Sequence, residues 1–319
     1  MNGLDTLTSP AVLAFVLGIF AALLRSDIRL PDAVHTGLSS YLLLAIGLKG
    51  GSGLRAAGVS EVAVPVLTAV LLGVITPLLA WVVLRGLTRL RRVDLAAVSA
   101  HYGSASLVTF TAAVALLEER GQYFEPYAAT LLAVLEVPGI LVGLLLAGGA
   151  AAGAGRSEAI REVLTGRSVL LLLGGLAIGA LSTPDSFDRV APVFVVLFPG
   201  ALVLFLLDLG VQAGRRLRDV PAAGPGLVVA AIAIPLLNGS LGVLAGTAVG
   251  LSAGGAGLLG VLTGSASYIA APAAVRLALP QANPAYYLTT SLGITFPFNL
   301  VLGIPLFLWM ATALDRALG

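Results

Sequence analysis

The sequence predicts an all-α membrane protein of ten transmembrane helices in two five-helix inverted repeats, with the crossing helices 4 and 9 broken. Three observations carry this expectation. The 319-residue chain is 58% hydrophobic and 11% charged, with a mean hydropathy of +1.02, too apolar for a water-soluble domain. Its basic residues concentrate in alternate loops, which orients the spans. The tetrapeptide Gly-Ser-Ala-Ser occurs twice, at 103–106 and 264–267, each time inside an apolar stretch. Interruptions at matching places in two halves are the sequence mark of a transporter binding site.

Charge and Pro/Gly clusters divide the chain into spans at 10–24, 33–48, 62–84, 96–117 and 127–146, then 168–181, 190–211, 226–251, 257–279 and 286–314. The start, Met1 to Asp5, has no basic n-region and the first span has no clear small-residue cleavage site, so that span reads as a retained helix. The first and sixth spans are both short, a first correspondence between halves. The fourth and ninth carry the duplicated tetrapeptide. The eighth holds Gly242, Gly246, Gly250 and Gly254 at four-residue spacing, a smooth face for close helix packing. Its boundary with the ninth is placed in the uncharged glycine-rich junction at 254–257. The repeats are taken as 1–150 and 168–319, with a cytosolic linker at 151–167. The stretch 148–167 opens as Gly-Gly-Ala-Ala-Ala-Gly-Ala-Gly and reads as a flexible joint.

With the N-terminus outside, the inner loops hold Arg25, Arg29, Arg85, Arg89, Arg91, Arg92, Arg156, Arg161, Arg167, Arg215, Arg216, Arg218 and Arg276, thirteen of eighteen positive charges. Lys49, Arg55, Arg120, Arg189 and Arg316 stay outside, as do Glu118, Glu119, Glu125, Asp185 and Asp188, and both termini are expected to face out. Five spans per half is odd, so the second half enters the membrane inverted. Residue identities follow in order. Leu17, Gly18 and Ala21 match Leu173, Gly174 and Ala177, and Leu48, Gly53 and Arg55 match Leu209, Gly214 and Arg216. Ala112-Ala-Val114 matches Ala273-Ala-Val275 beyond the tetrapeptides, and Tyr127, Thr130, Pro138, Leu141 and Val142 match Tyr286, Thr289, Pro297, Leu300 and Val301.

Several functions are disfavoured. A net charge of +2 spread over short loops gives no basic stripe, so nucleic acid is not an expected partner. There are no cysteines and two histidines, His35 and His101, which leaves thiolate chemistry and His-rich metal sites without ligands. Gly255, Gly257 and Gly260 fit GxGxxG but follow no strand. No HExxH or Walker loop is present, no cofactor is expected, and the chain is not expected to be an enzyme. An intramembrane hydrolase using Ser104 or Ser265 would have only His101 as a nearby base.

The candidate site is the pair of breaks. If the helices break at Gly103, Ser104, Ala105 and Ser106, and at Gly264, Ser265, Ala266 and Ser267, the N–H groups of about Ser104 to Leu107 and Ser265 to Tyr268 begin half-helices whose positive dipole ends converge on a small anion. The hydroxyls of Ser104, Ser106, Ser265, Ser267 and Thr263 offer neutral oxygens of the kind a sodium ion takes, or donors to the anion. Glu136 lies mid-span, where a carboxylate is costly unless it pairs or meets water; its repeat counterpart is Thr295, with Asn299 one turn beyond. Asp208, close to Arg215 and Arg216, reads as a structural ion pair. His101 is left outside the site as a packing histidine.

The residues from Gly264-Ser-Ala-Ser-Tyr-Ile-Ala-Ala-Pro-Ala-Ala-Val to Arg276, then Leu-Pro-Gln-Ala-Asn-Pro284, then Thr295-Phe-Pro-Phe-Asn-Leu-Val-Leu-Gly-Ile-Pro305 resemble the sodium-dependent bicarbonate transporters of the cyanobacterial carbon-concentrating system and their bacterial relatives. Leu207-Asp-Leu-Gly-Val-Gln-Ala-Gly-Arg215 and the first Gly-Ser-Ala-Ser extend the likeness over essentially the whole chain. The resemblance implies a mobile core of helices three to five and eight to ten working against a gate of helices one, two, six and seven. It also implies sodium–bicarbonate symport at a bacterial plasma membrane, a homotrimer, and a cytosolic regulator similar to PII signalling proteins. Bicarbonate would then occupy the eight tetrapeptide positions, and sodium would bind among Ser104, Ser106, Glu136, Thr263, Ser265, Thr295 and Asn299. The acid in the fifth span looks like an aspartate in the cyanobacterial proteins and is Glu136 here, a departure that bears on stoichiometry and substrate preference. The competing readings are a sodium- or proton-coupled carrier of another small anion, and a non-transporting membrane receptor or scaffold for a cytosolic protein.

Overall fold

The computed structural model describes residues 9–148 and 154–318. Met1 to Asp5, and the part of the expected joint at 149–153, lie outside the described residues. All regular structure among the described residues is helical. The first half runs α1 (Pro10–Leu23), α2 (Asp32–Ala57), α3 (Val59–Leu87), α4 (Arg92–Gly103), α5 (Leu107–Glu119) and α6 (Ala128–Leu146). A linker helix α7 (Ala154–Thr165) leads to α8 (Arg167–Leu181), α9 (Pro184–Ala191), α10 (Phe198–Leu217), α11 (Val220–Ala223), α12 (Pro225–Ala248), α13 (Ala253–Thr263), α14 (Ala270–Ala278), α15 (Pro284–Leu288), α16 (Phe296–Phe298) and α17 (Ile304–Leu318). π-helical turns at Pro192–Val196, Thr289–Thr295 and Asn299–Gly303 join the pieces around them into longer rods.

By length and apolarity, seven of these rods are candidate membrane spans, while Pro10–Leu23 and Ala253–Thr263 are apolar but shorter. The shortfall from ten has local causes. α13 is cut to 11 residues by the break after it, and the second half of α2 carries Lys49, Ser52 and Arg55 among its glycines. The stretch Arg92–Glu119, which contains the first break, is 94% buried over its most apolar window, against 33% for Ser60–Leu87. The polar interruption is therefore enclosed by protein, as backbone left outside a helix must be at membrane depth.

Two groups of helices result. In one, α1 packs along α10 and α2 along α8, with α10 also against α2. Glycines set these contacts: a Cβ added at Gly18 would stand 2.9 Å from Gly210 Cα, and one at Gly47 would stand 2.9 Å from Gly175 Cα. Backbones approach this closely only where small residues line the interface. In the other group, α3 packs on α4, α6 and α12, α12 on α13, and α13 on α17. Gly242 and Gly246 lie against Thr263 and Ala256 of α13, which is the packing their spacing predicts. α12 ends before Gly250, whose φ is +84°, so the boundary falls at 249–252 rather than at the expected 254–257.

Two buried carboxylates tie the broken helices to the far half. Asp94, in the first turn of α4, accepts from Asn283 N (2.8 Å) and from Arg91 Nε (2.8 Å). At the opposite end, Glu125 accepts from Ser252 N (2.6 Å) and Ser252 Oγ (3.1 Å), where Ser252 caps α13. The expected joint is also more ordered than its composition predicts, because α7 packs against α14 with Val163 buried.

Candidate functional site

The two tetrapeptides break their helices and meet, but the breaks differ in length. α4 ends at Gly103, and Ser106 caps α5 by accepting from Thr109 N (3.2 Å) and Thr109 Oγ1 (2.9 Å). In the second copy the chain stays non-helical from 265 to 269, and α14 starts only at Ala270, not at Ser265 to Tyr268. Pro272 is the cause. A helix starting at Tyr268, the counterpart of Leu107, would need a fifth-residue N–H that proline lacks; started at Ala270, Pro272 falls within the first turn, where no intrahelical donor is needed.

Across the crossing, Ser106 N donates to Ser265 Oγ at 2.7 Å, and Ser265 Oγ donates to Leu262 O at 2.7 Å. The mirror bond, Ser267 N to Ser104 Oγ, is not made. Ser267 N donates to His101 O at 2.8 Å, and the Ser104 hydroxyl is buried with no partner among the described residues. The N–H groups of Leu107 and Val108 on one side, and of Tyr268 and Ile269 on the other, likewise have no acceptor there. Unclaimed donors thus cluster at two helix starts, beside a hydroxyl whose lone pairs are free, an arrangement able to meet an anion and a cation together.

The structure divides the expected site residues into two clusters. Ala105, Ser106, Ser267 and Glu136 line one small pocket with Leu43, Leu107, Ser168, Tyr268 and Ile269. Thr295 and Asn299 lie outside that pocket. Thr295 Oγ1 receives the Tyr102 hydroxyl (2.7 Å) and donates to Ala231 O (2.7 Å), while Asn299 Nδ2 donates to Gly264 O (2.9 Å) and leaves Oδ1 buried without a partner. Thr263 turns its hydroxyl back to Leu259 O and Gly260 O. Where the second half places Asn299 against Gly264, the first half places Gly139 against the Gly103 carbonyl, closer than any side chain allows. The remaining tetrapeptide members, Gly103, Gly264 and Ala266, are buried backbone positions of the crossing.

A large polar vestibule of about 770 Å³ opens toward this crossing between the two helix groups. Its walls include Arg29, His35, Asp208, Gln212, Arg215, Arg216, Tyr268 and Arg276. Asp208 is not paired with Arg215 or Arg216 as expected. It accepts from His35 Nδ1 (2.7 Å), Gln212 Nε2 (2.8 Å) and Leu30 N (3.2 Å), while Arg216 pairs with Asp219. The opposite face is nearly sealed: its cavity of about 50 Å³ lies beneath Lys49, which bonds Glu118 at 2.9 Å and sits over Phe198.

A family model of the Na+-dependent bicarbonate transporter superfamily matches residues 10–312. The chain belongs to this superfamily. No curated protein matches the chain closely enough to add to that assignment. This superfamily member is a multi-pass membrane protein, and the match spans both tetrapeptides and every element that positions them.

In this transporter-family chain, the sequence pointed to the Tyr268 N–H but not to its phenol, nor to Ser168 or the His101 carbonyl. Ser168 belongs to α8, remote in sequence from both breaks, and no pattern placed it there. Tyr268 directly follows the second tetrapeptide, and its counterpart Leu107 is apolar, so repeat matching passed it over. His101 does pack, its Nδ1 against Ala97 O (2.7 Å) and its ring stacked on Tyr287, but its carbonyl is the acceptor that breaks the symmetry of the crossing.

Proposed function

We propose that the protein is a secondary active transporter that couples sodium entry to bicarbonate uptake by alternating access of a core group of helices, α3 to α6 and α12 to α17, against a gate group, α1, α2, α8 and α10. The observation that carries this reading is the crossing itself: two helix starts with unclaimed N–H groups, the unpartnered Ser104 hydroxyl, and Glu136 in the adjoining pocket. A small planar anion suits convergent N–H groups, and a cation alongside offsets the cost of burying it. Sodium would draw on Ser104, Ser106, Ser265, Glu136 and the Asn299 carbonyl oxygen, with Thr263 and Thr295 supporting the second half. No cofactor or enzymatic step enters this reading.

The inverted repeat is supported by reciprocal contacts. Gly18 meets Gly210 as Gly175 meets Gly47, so the first and sixth spans align at an offset of 157 and the second and seventh at 163, slightly displaced from the 156 and 161 read from residue identities. Counting each broken rod as one span, with the repeats at 1–150 and 168–319 about a linker at 151–167, gives the ten-helix arrangement. The arginines of the vestibule favour its facing the cytoplasm of a bacterial cell, with both termini outside. On this reading the present conformation is open inward and shut outward. A homotrimer and a PII-like regulator belong to the proposal on the family resemblance alone.

The test is uptake of labelled bicarbonate into proteoliposomes, with sodium or choline outside, for the parent and for Ser104→Ala, Ser265→Ala and Glu136→Ala. Sodium-stimulated uptake that falls at least tenfold in the variants is expected. Uptake indifferent to sodium would favour a proton-coupled carrier, and none at all a receptor or scaffold.

A further inference from the structure

The pocket at the crossing and the vestibule share a single wall residue, Tyr268. The two spaces differ greatly in size. The vestibule holds about 770 Å³, whereas the crossing pocket holds about 10 Å³, the room of one water-sized sphere. A four-atom oxyanion cannot enter the pocket while its wall stands as it does. Along α2 the vestibule ends near Thr36 and the pocket begins at Leu43, about 10 Å deeper at the rise of an α-helix.

Tyr268 is built to move. It sits in the non-helical stretch between α13 and α14, so its backbone can turn without breaking a helical hydrogen bond. Among the described residues one side-chain bond holds it, from Ser106 Oγ at 3.2 Å, across the two halves. Its ring leans on Phe296 with centroids 5.1 Å apart, a surface it can slide along. The phenol's own proton has no acceptor among the described residues, so a bound anion can take it. The counterpart in the first half, Leu107, lines the pocket but not the vestibule.

We propose that Tyr268 is the gate residue between the vestibule and the crossing pocket: swinging its phenol away from Ser106 enlarges the pocket and joins it to the vestibule. The inference rests on the transporter reading for its purpose, but its test does not. The chain contains no cysteine, so Leu43→Cys, a pocket residue on α2 outside the proposed binding set, gives one reporter without background. Proteoliposomes carrying this variant are treated with a membrane-impermeant thiol reagent from each face in turn, without sodium or bicarbonate. With Tyr268 present, labelling is slow from both faces. In Leu43→Cys/Tyr268→Ala it rises at least tenfold from the vestibule face only. In Leu43→Cys/Tyr268→Phe, which keeps the ring and loses the bond to Ser106, it rises severalfold and the fold is undisturbed. Equal labelling rates in all three proteins overturn the proposal, as does acceleration from the sealed face. Faster labelling with sodium-independent uptake refutes the transport reading and leaves the gate intact; unchanged labelling with sodium-dependent uptake does the reverse.

Discussion

The Ser106 amide donates to the Ser265 hydroxyl at 2.7 Å, whereas its mirror partner, the Ser104 hydroxyl, has no partner among the described residues. Two chemically identical tetrapeptides are thus used differently, one serine bonding the halves together and the other left with an unclaimed hydroxyl.

That difference separates two substitutions. Ser265→Ala removes the acceptor of a buried N–H and is expected to cost about 1–3 kcal/mol of stability. Ser104→Ala removes no hydrogen bond made among the described residues and is expected to cost less stability than Ser265→Ala, while lowering uptake at limiting sodium. Thermal unfolding in detergent together with uptake checks both; equal destabilisation by the two would contradict the asymmetry.

Gly139 and Gly103 touch backbone to backbone, so Gly139→Ala has nowhere to put its methyl. Overpacking of this kind costs about 1–3 kcal/mol or more. Gly174 in α8 has open space around it, and Gly174→Ala is expected to be neutral or to stabilise by up to about 1 kcal/mol through helix propensity. The pair is read by unfolding midpoint, and a reversed order would show that the close approach is not maintained.

The Asp94 and Glu125 anchors sit at opposite ends of the core and engage backbone N–H groups of the other half. Glu125→Ala is expected to destabilise by about 1.5–3 kcal/mol, as for a hydrogen bond to a charged group, without altering the sodium concentration that gives half-maximal uptake. Glu136→Ala should do the opposite, raising that concentration strongly. A sodium titration of both variants separates anchoring from ligation.

The Lys49–Glu118 pair bridges the two helix groups on the sealed face. As a partly exposed pair it contributes about 0.2–1 kcal/mol, but all of it is specific to this conformation, so Lys49→Ala should move the inward–outward balance by up to about fivefold toward the other state. Thiol labelling of Leu43→Cys from the sealed face reads that shift, and high salt should mimic the substitution.

Much of this arrangement was legible in the chain. The breaks announced themselves because they are duplicated, and Glu136 because a carboxylate stands out in an apolar span. What was not legible depends on contacts made across the fold. Pro272 delays the second half-helix through a missing N–H five residues into it, a detail hidden by the identity of the tetrapeptides. His35 reaches Asp208 from another helix, while Arg215 and Arg216 looked nearer only along the sequence. Glu136 and Thr295 are counterparts by alignment, yet one lines the pocket and the other bonds Tyr102. The glycine-rich start of the linker masked the helix α7 that follows it.

The central claim is coupling of sodium to bicarbonate at the crossing, and accumulation against a gradient measures it most directly. Proteoliposomes with equal labelled bicarbonate inside and out, given only an inward sodium gradient, should concentrate bicarbonate, and Ser104→Ala should abolish the accumulation. With a one-to-one complex the accumulation is indifferent to membrane voltage, and a second sodium would add about 2.3 kcal/mol per 100 mV. Bicarbonate that stays level on the two sides while sodium runs down its gradient would contradict the account.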